Sequence, residues 1–176
     1  MHSSDTVRSP DTVRSSDTVR SFDSVRSFDS VRSFDIVDVL IEQHDHMRRL
    51  CAEVKRSHGP ARRRLFAELN RLVNVHELGD RRIVHPAARN SGAAGDAVGV
   101  ACMTEEGTIE RAFAALTALG VEHGSFDARF AAAHDALLAH HAHEERDEFP
   151  LLRTHVGTQR RHMMVGELHD LQVMAG

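Results

Sequence analysis

The sequence predicts an all-α protein: an up-and-down four-helix bundle, preceded by a repetitive tail and followed by a short C-terminal helix. Hydrophobic residues make up 41% of the chain and are mainly Leu, Ala and Val, while Trp and Tyr are absent. This balance favours helices over sheets. From Phe34 onward, apolar residues recur at helical spacing, with short loops between the periodic segments. Amphipathic helices joined by short loops pack most economically as a bundle.

The tail, residues 1–33, contains a hexapeptide repeat in which Asp, Val, Arg and Ser recur. Each unit carries little apolar surface, too little to offset the entropy lost on ordering the chain. A period of six also rotates the Val positions by about 600° on a helix, so they do not build one apolar face. We expect a disordered tail. The alternative is an N-terminal extension of the first helix from about Ser27.

The helices of the bundle are delimited by Gly, Pro and polar loop residues. Pro60 suits the first turn of the second helix, and Ser125 or Asp127 can cap the fourth. The Pro residues at 86 and 150 are expected to end the second and fourth helices. Residues 34–156 thus form one domain, and residues 157–176 contain a further helix that packs on its outside. The four long helices are expected within residues 34–58, 60–86, 97–119 and 125–148.

Composition also bounds the partners and the compartment. The net charge of -4 predicts no attraction to nucleic acid or membranes, and the basic stretch between Arg48 and Arg71 is typical of a solvated helix face. No apolar run approaches the roughly 20 residues of a membrane helix, and no signal peptide is recognisable. Cys51 and Cys102 stand alone, as expected in a reducing compartment. These features favour a cytoplasmic protein without a nucleic-acid or membrane partner.

The chain is rich in His, with 14 residues, and two of its segments follow one pattern. Each has a His, a carboxylate four residues later, a Pro ten residues after the His, and an Arg three residues beyond the Pro. Four residues turn about 400° on an α-helix, so the imidazole and the carboxylate stack on one face. The segments carry His76, Asp80, Pro86 and Arg89 in the second helix and His140, Glu144, Pro150 and Arg153 in the fourth.

A single His and carboxylate pair is weak evidence, because surface helices often carry such pairs. Recurrence at matching places in two helices instead predicts a shared interior site. His44 lies on the apolar stripe of the first helix, and Glu106 takes the equivalent place in the third. A carboxylate on a buried face is costly without a cation. A core His bonded to a backbone carbonyl is the alternative for His44, while His46 falls off the stripe and should be exposed.

Together these segments resemble the hemerythrin-like (HHE cation-binding) domain family over roughly residues 36–153. The resemblance implies a pair of iron ions, bridged by hydroxide or oxide, with His44, His76 and His140 as terminal ligands and Asp80 and Glu144 as bridges. It rests on Leu40-Ile-Glu-Gln-His44-Asp-His-Met47, His76-x-x-x-Asp80, and His140-x-x-x-Glu144-Glu145 ending in Phe149-Pro150.

The sequence departs from the family pattern in two places. Asp80 stands where Glu is usual, which shortens the reach by one methylene, and Gly79 loosens the helix just before it. Oxygen-carrying members place two His four residues apart in the third helix, whereas Cys102 and Glu106 occupy the corresponding positions here. Glu105, or a register shifted to Gly107, is an alternative for this helix.

Charge and ligand chemistry support iron. Two Fe(II) ions bring four positive charges, while Asp80, Glu106, Glu144 and a bridging hydroxide bring four negative ones, and a buried centre should approach neutrality. Mixed imidazole and carboxylate ligands suit iron or manganese better than structural zinc.

We therefore expect a non-haem di-iron protein that reacts with or senses O2, peroxide or nitric oxide, rather than a dedicated enzyme. The alternatives are a metal-bearing regulatory or iron-storage-like module without turnover and, last, a metal-free helical interaction domain. The remaining His residues after the tail are expected mostly on helix surfaces, with His141 or His143 as alternative outer partners of the metal ligands. They are His58, His85, His123, His134, His141, His143, His155, His162 and His169.

Overall fold

The computed structural model describes residues 35–175, so the predicted tail and its repeats lie outside the described residues. Within that range the chain is helical and has no strand, which confirms the all-α prediction. The elements are α1 (Ile36–Arg56), α2 (Gly59–Gly79), π1 (Asp80–Val84), α3 (His85–Arg89), α4 (Ala93–Leu119), α5 (Phe126–His143), π2 (Glu144–Glu148), α6 (Phe149–His155) and α7 (Thr158–Ala175). Segments α2, π1 and α3 follow one another without a break, as do α5, π2 and α6.

Helix α1 begins at a well-formed cap. The side chain of Asp35 accepts hydrogen bonds from the backbone N–H groups of Val37 (3.0 Å) and Asp38 (3.4 Å), and Asp38 in turn accepts from the backbone N–H of Asp35. This reciprocal arrangement is a capping box, which satisfies donors that the first turn leaves free. Because Asp35 has extended backbone angles, α1 does not run back through this position as one continuous helix.

The expected helix ends at Pro86 and Pro150 are wrong, because the chain stays helical past both residues. A π-helical segment precedes each proline. In π1 the N–H of His85 donates to the carbonyl of Asp80, and in π2 the N–H of Phe149 donates to that of Glu144. Each proline then falls in the first turn of the next helix, where its missing N–H is tolerated.

Buried apolar residues form two clusters along the helices. Helix α7 contributes Met164 and Leu168 to one of these clusters and contacts α1, α2 and π1. The first comprises Met47, Leu50, Cys51, Val54, Phe66, Leu69, Val73, Ile109, Phe113, Leu116, Val121, Phe126, Phe130, Ala133 and Leu137. The second comprises Ile36, Val37, Leu40, Ile83, Val84, Ala88, Phe149, Leu152, Met164 and Leu168.

Buried polar side chains separate the two clusters. In α1, His44 comes between Leu40 of the second cluster and Met47 of the first. The order is reversed from α2 into π1 and from α5 into π2, where buried polar residues follow the first cluster and precede the second. The long helices contact one another in the pairs α1 with α2, α4 with α5, α2 with α4 and α1 with α5. None of the helices in the described part is long and apolar enough to cross a bilayer.

Gly95 allows α4 to approach α3 closely, and substituting it should destabilise the protein. A Cβ at this position would lie 2.1 Å from the carbonyl oxygen of Ala88 and 2.2 Å from Oγ of Ser91. Because a backbone atom must move, we expect Gly95→Ala to lower the free energy of unfolding by about 1–3 kcal/mol, the usual cost of overpacking. Urea unfolding would measure it.

Gly166→Ala is the matched control. Gly166 lies within α7 with no atom within 4 Å of an added Cβ, so its substitution should stabilise the helix by up to ~1 kcal/mol. Equal effects of the two variants would show that the contact between α3 and α4 is not tight.

Candidate metal centre

Ten buried residues form the polar layer between the two apolar clusters. Five are imidazoles and five are carboxylates, each at most 2% exposed. Charged groups are rarely this buried unless they are paired or bind a metal. They come from α1, from α2 with π1 and α3, from α4, and from α5 with π2. The residues are His44, His76, Glu77, Asp80, His85, Glu106, His140, His141, Glu144 and Glu148.

Three imidazoles are held from outside the layer through Nδ1. An acceptor at Nδ1 fixes the proton there and leaves the Nε2 lone pair free for a metal. Such outer partners commonly orient imidazole ligands in metalloproteins. The pairs are His44 with Glu145 Oε1 (2.7 Å), His76 with Gln43 Oε1 (2.8 Å) and His140 with Glu105 Oε2 (3.1 Å).

The free Nε2 atoms converge on other electron-rich atoms. Nε2 of His44 and Nε2 of His76 are 3.0 Å apart, and Nε2 of His76 is also 3.0 Å from Oδ2 of Asp80. With their protons on Nδ1, both imidazoles present lone pairs to this contact, and lone pairs repel at such a distance. A cation among these atoms would turn the repulsion into coordination.

Glu144 lies between two groups of imidazoles. Its Oε2 is 3.3 Å from Nε2 of His44, while its Oε1 is 3.4 Å from Nε2 of His140. Neither oxygen makes a hydrogen bond to any residue in the described range 35–175. A carboxylate that presents one oxygen to each of two sets of ligands has the geometry of a bridge between two ions.

Ten N and O atoms of this layer are buried without a hydrogen-bond partner in the part of the chain that the structure describes. Leaving such groups unsatisfied costs about 1–3 kcal/mol each, and more for charged groups. A purely structural network would satisfy them, as nearly all buried polar groups in proteins are satisfied. The atoms are both oxygens of Glu77, Asp80 and Glu144, one oxygen of Glu148, Nε2 of His140 and both ring nitrogens of His141.

Burial also shifts the protonation of these groups. Burial raises the pKa of Glu77, Asp80 and Glu144 well above the usual range, and neighbouring carboxylates raise it further. Burial likewise lowers the pKa of His44 and brings that of His76 to about 3. The imidazoles are therefore neutral near pH 7, which is the form that binds metal.

His85 behaves differently from the other imidazoles. Nδ1 lies 2.8 Å from Glu148 Oε1 and Nε2 lies 2.8 Å from Glu106 Oε1. Both nitrogens can donate only in the imidazolium form. Burial alone would lower its pKa, but the two hydrogen bonds outweigh burial and raise the pKa of His85 to about 10. His85 therefore positions two carboxylates and has no free nitrogen for a metal.

These shifts predict that the metal-free protein loses stability as the pH rises from 7 to 9. A group whose pKa is raised on folding stabilises the fold below its unfolded pKa and loses that effect as the pH passes the folded pKa. His85, with an unfolded value near 6.5, contributes a loss of about 2 kcal/mol over this window. The raised carboxylates act in the same direction, while the lowered imidazoles are neutral in both states here.

Urea unfolding of chelator-treated protein at both pH values would test this dependence. His85→Gln should flatten the slope, because its side chain does not titrate. A stability that is constant or rises from pH 7 to 9 in the unsubstituted protein would contradict the assigned protonation states.

All six residues singled out as metal ligands from the sequence lie in the polar layer, and His46 is exposed as expected. Four further members were missed. The expected surface position of His85 is wrong, as is the surface position preferred for His141 over a role as an outer partner, since both are fully buried. His141 stacks on His44 with ring centroids 3.8 Å apart. The other two missed residues are Glu77 and Glu148.

The third long helix of the sequence, α4, contributes Glu106 to the layer, in contact with His85 and 3.4 Å from Nη1 of Arg81. Its neighbour Glu105 lies outside, 40% exposed, where it holds His140. Cys102 is buried, but its Sγ faces His143 and Glu105 rather than His44 or His76. Comparisons with family models, with curated proteins and with solved structures find no match to this chain.

Proposed function

We propose that this chain is a non-haem di-iron protein with a hemerythrin-like four-helix bundle, which reacts with or senses O2, peroxide or nitric oxide. The observation that carries the proposal is the convergence of unpartnered donor atoms, above all the contact of two Nε2 lone pairs at 3.0 Å between His44 and His76. Metal sites in helical bundles are built in this way, from inward-facing side chains on several helices.

The donor atoms divide into two sets joined by carboxylates. His44 and His76 would hold one ion, with the unpartnered nitrogens of His141 close by. His140, Glu77 and Glu106 would hold the other. Glu144, with one oxygen toward each set, and Asp80, beside His76, would bridge them. This division follows the roles that the family resemblance implies for Asp80 and Glu144.

Charge supports two divalent ions. The five buried carboxylates, when ionised, carry five negative charges. Two divalent cations supply four positive charges, and the buried imidazolium of His85, which donates to Glu106 and Glu148, supplies the fifth. A buried centre of this composition is neutral, which removes most of the energy cost of burying its charges. Imidazole and carboxylate donors together suit iron or manganese.

The residues of the layer also favour one kind of reactivity. Bound iron would supply one-electron redox chemistry and an open coordination position for a small ligand. A carboxylate stabilises Fe(III) over Fe(II) more than a neutral imidazole does, by Coulomb attraction. Because Glu106 and Glu77 are carboxylates rather than neutral imidazoles, which would favour Fe(II), oxidation of the iron should be favoured over reversible carriage of O2. Because the layer is buried, only small molecules can reach it.

Stopped-flow spectroscopy of anaerobically Fe(II)-loaded protein would test this function. On mixing with O2, peroxide or nitric oxide, the optical spectrum should change rapidly, and evacuation should not restore the spectrum obtained before O2. A spectrum that evacuation fully restores would identify an oxygen carrier. A loaded protein that responds to none of the three small molecules would instead favour a regulatory or storage module.

A further inference from the structure

Three further metal-binding side chains, here named the outer cluster, lie beside the buried centre, between α4 and α5. Cys102 and Glu105 come from α4, and His143 comes from the end of α5. One donor atom from each of these residues lies within 4.8 Å of the other two. Cys102 is fully buried, while His143 and Glu105 are 19% and 40% exposed, so the cluster extends from the interior to the surface.

The geometry within this cluster fits one cation. Nδ1 of His143 lies 2.9 and 3.1 Å from the two oxygens of Glu105 and 3.9 Å from Sγ of Cys102. Donors around one tetrahedral ion are separated by about 3.3–3.8 Å, given metal–ligand bonds of about 2.0–2.3 Å. Small side-chain movements would therefore allow all three residues to bind the same ion.

The surroundings of His143 favour ligation through Nδ1. Its Nε2 lies 3.5 Å from Oδ2 of Asp147, so the carboxylate can accept from an Nε2–H group, which leaves the Nδ1 lone pair directed toward Cys102 and Glu105. This is the outer carboxylate arrangement that orients imidazole ligands. Among the residues that the structure describes, this imidazole is the one hydrogen-bonding neighbour of the Cys102 thiol, at a distance where the bond is weak.

We propose that Cys102, Glu105 and His143 form a separate site for one divalent transition cation such as Zn2+, Co2+ or Fe2+. Thiolate, imidazole and carboxylate donors together suit ions of intermediate softness and not Mg2+ or Ca2+. On binding, the thiol proton leaves to solvent and the thiolate occupies one coordination position. Glu105 also accepts from Nδ1 of His140, so the site adjoins the buried centre through one shared carboxylate.

Cobalt titration of the full chain tests this site, because a thiolate bound to Co2+ gives an intense near-ultraviolet charge-transfer band that imidazole and carboxylate ligands do not give. At saturation the band should have the intensity of one thiolate-bound cobalt per chain, whatever further cobalt the buried centre takes up. Cys102→Ser should abolish it, and His143→Gln or Glu105→Gln should weaken cobalt affinity at least tenfold. Cys51→Ala is the matched control and should keep the band, since Cys51 lies in the apolar core.

Two results would overturn the proposal. One is a cobalt-loaded chain without the band. The other is a band that disappears in Cys102→Ser while His143→Gln and Glu105→Gln both bind cobalt with the affinity of the parent protein. That result would assign the thiolate to the buried centre. His76→Ala separates this test from that of the di-iron centre: it should remove metal from the centre and leave the band intact.

Discussion

Metal binding should raise the melting temperature of this protein by roughly 10 °C. A ligand that binds only the folded state stabilises it by about 4 kcal/mol when its free concentration is a thousand times the dissociation constant. For a chain of this size, each kcal/mol shifts the melting temperature by about 2–4 °C. The structural reason is the set of unpartnered buried atoms on Glu77, Asp80 and Glu144, which coordination would satisfy. Calorimetry of chelator-treated and Fe(II)-loaded protein under argon would measure the shift.

Glu144→Gln should separate the two effects of this carboxylate. The neutral amide removes the cost of a buried group whose pKa is raised by burial and by neighbouring acids, so the metal-free variant should melt at a higher temperature than the metal-free parent. The same change removes a bridging ligand, so the increment due to iron should fall. If the variant is less stable without metal and iron shifts neither protein, the polar layer is a structural network.

Loss of a ligand imidazole should remove metal from the centre. His76 is fully buried, and its Nε2 contacts both His44 and Asp80. His76→Ala should therefore lose at least one iron per chain, as should His140→Ala. Metal analysis after desalting would measure the loss, and far-ultraviolet circular dichroism would verify that the variants remain helical.

His46→Ala is the matched control, because His46 lies two residues from His44 in the same helix but is exposed. It should retain the full metal content. Gln43→Leu gives an intermediate case: it removes the acceptor at Nδ1 of His76, and loss of such an outer partner typically weakens metal binding by 10–100-fold. Equal losses in His46→Ala and His76→Ala would show that the imidazoles do not act through a common buried site.

Helical periodicity was sufficient to predict the helices and the side of each helix that faces the interior. His44 follows Leu40 by four residues and precedes Met47 by three, so the apolar pattern places its side chain inside. The duplicated His and carboxylate pairs indicated His76, Asp80, His140 and Glu144 in the same way. All four are buried in the polar layer.

Some missed residues carried the same signal. Glu77 follows the buried Val73 by four residues, His141 follows Leu137 by four, and Glu148 follows Glu144 by four. The prediction of metal ligands used one narrow apolar stripe per helix and therefore omitted these three residues. A helix with neighbours on two sides buries a wider face.

His85 could not be placed from an α-helical pattern. It follows His76 by nine residues, which on an α-helix is about 180° away. The π1 segment adds one residue to the turn, rotates the following side chains by about 100°, and brings His85 back toward the layer. The local sign of an irregular helix was Pro86, directly after His85. A proline alone predicts the end of a helix as readily as a π-helical turn.

The most direct test of a two-ion centre is the metal content of the full chain after anaerobic loading with Fe(II) and desalting. At least two iron ions per chain should remain in the parent protein, and Cys102→Ser should still retain two, since Cys102 belongs to the outer cluster. A content near zero in both proteins would contradict the metal centre, and one iron per chain in Cys102→Ser would contradict the bridging role of Glu144.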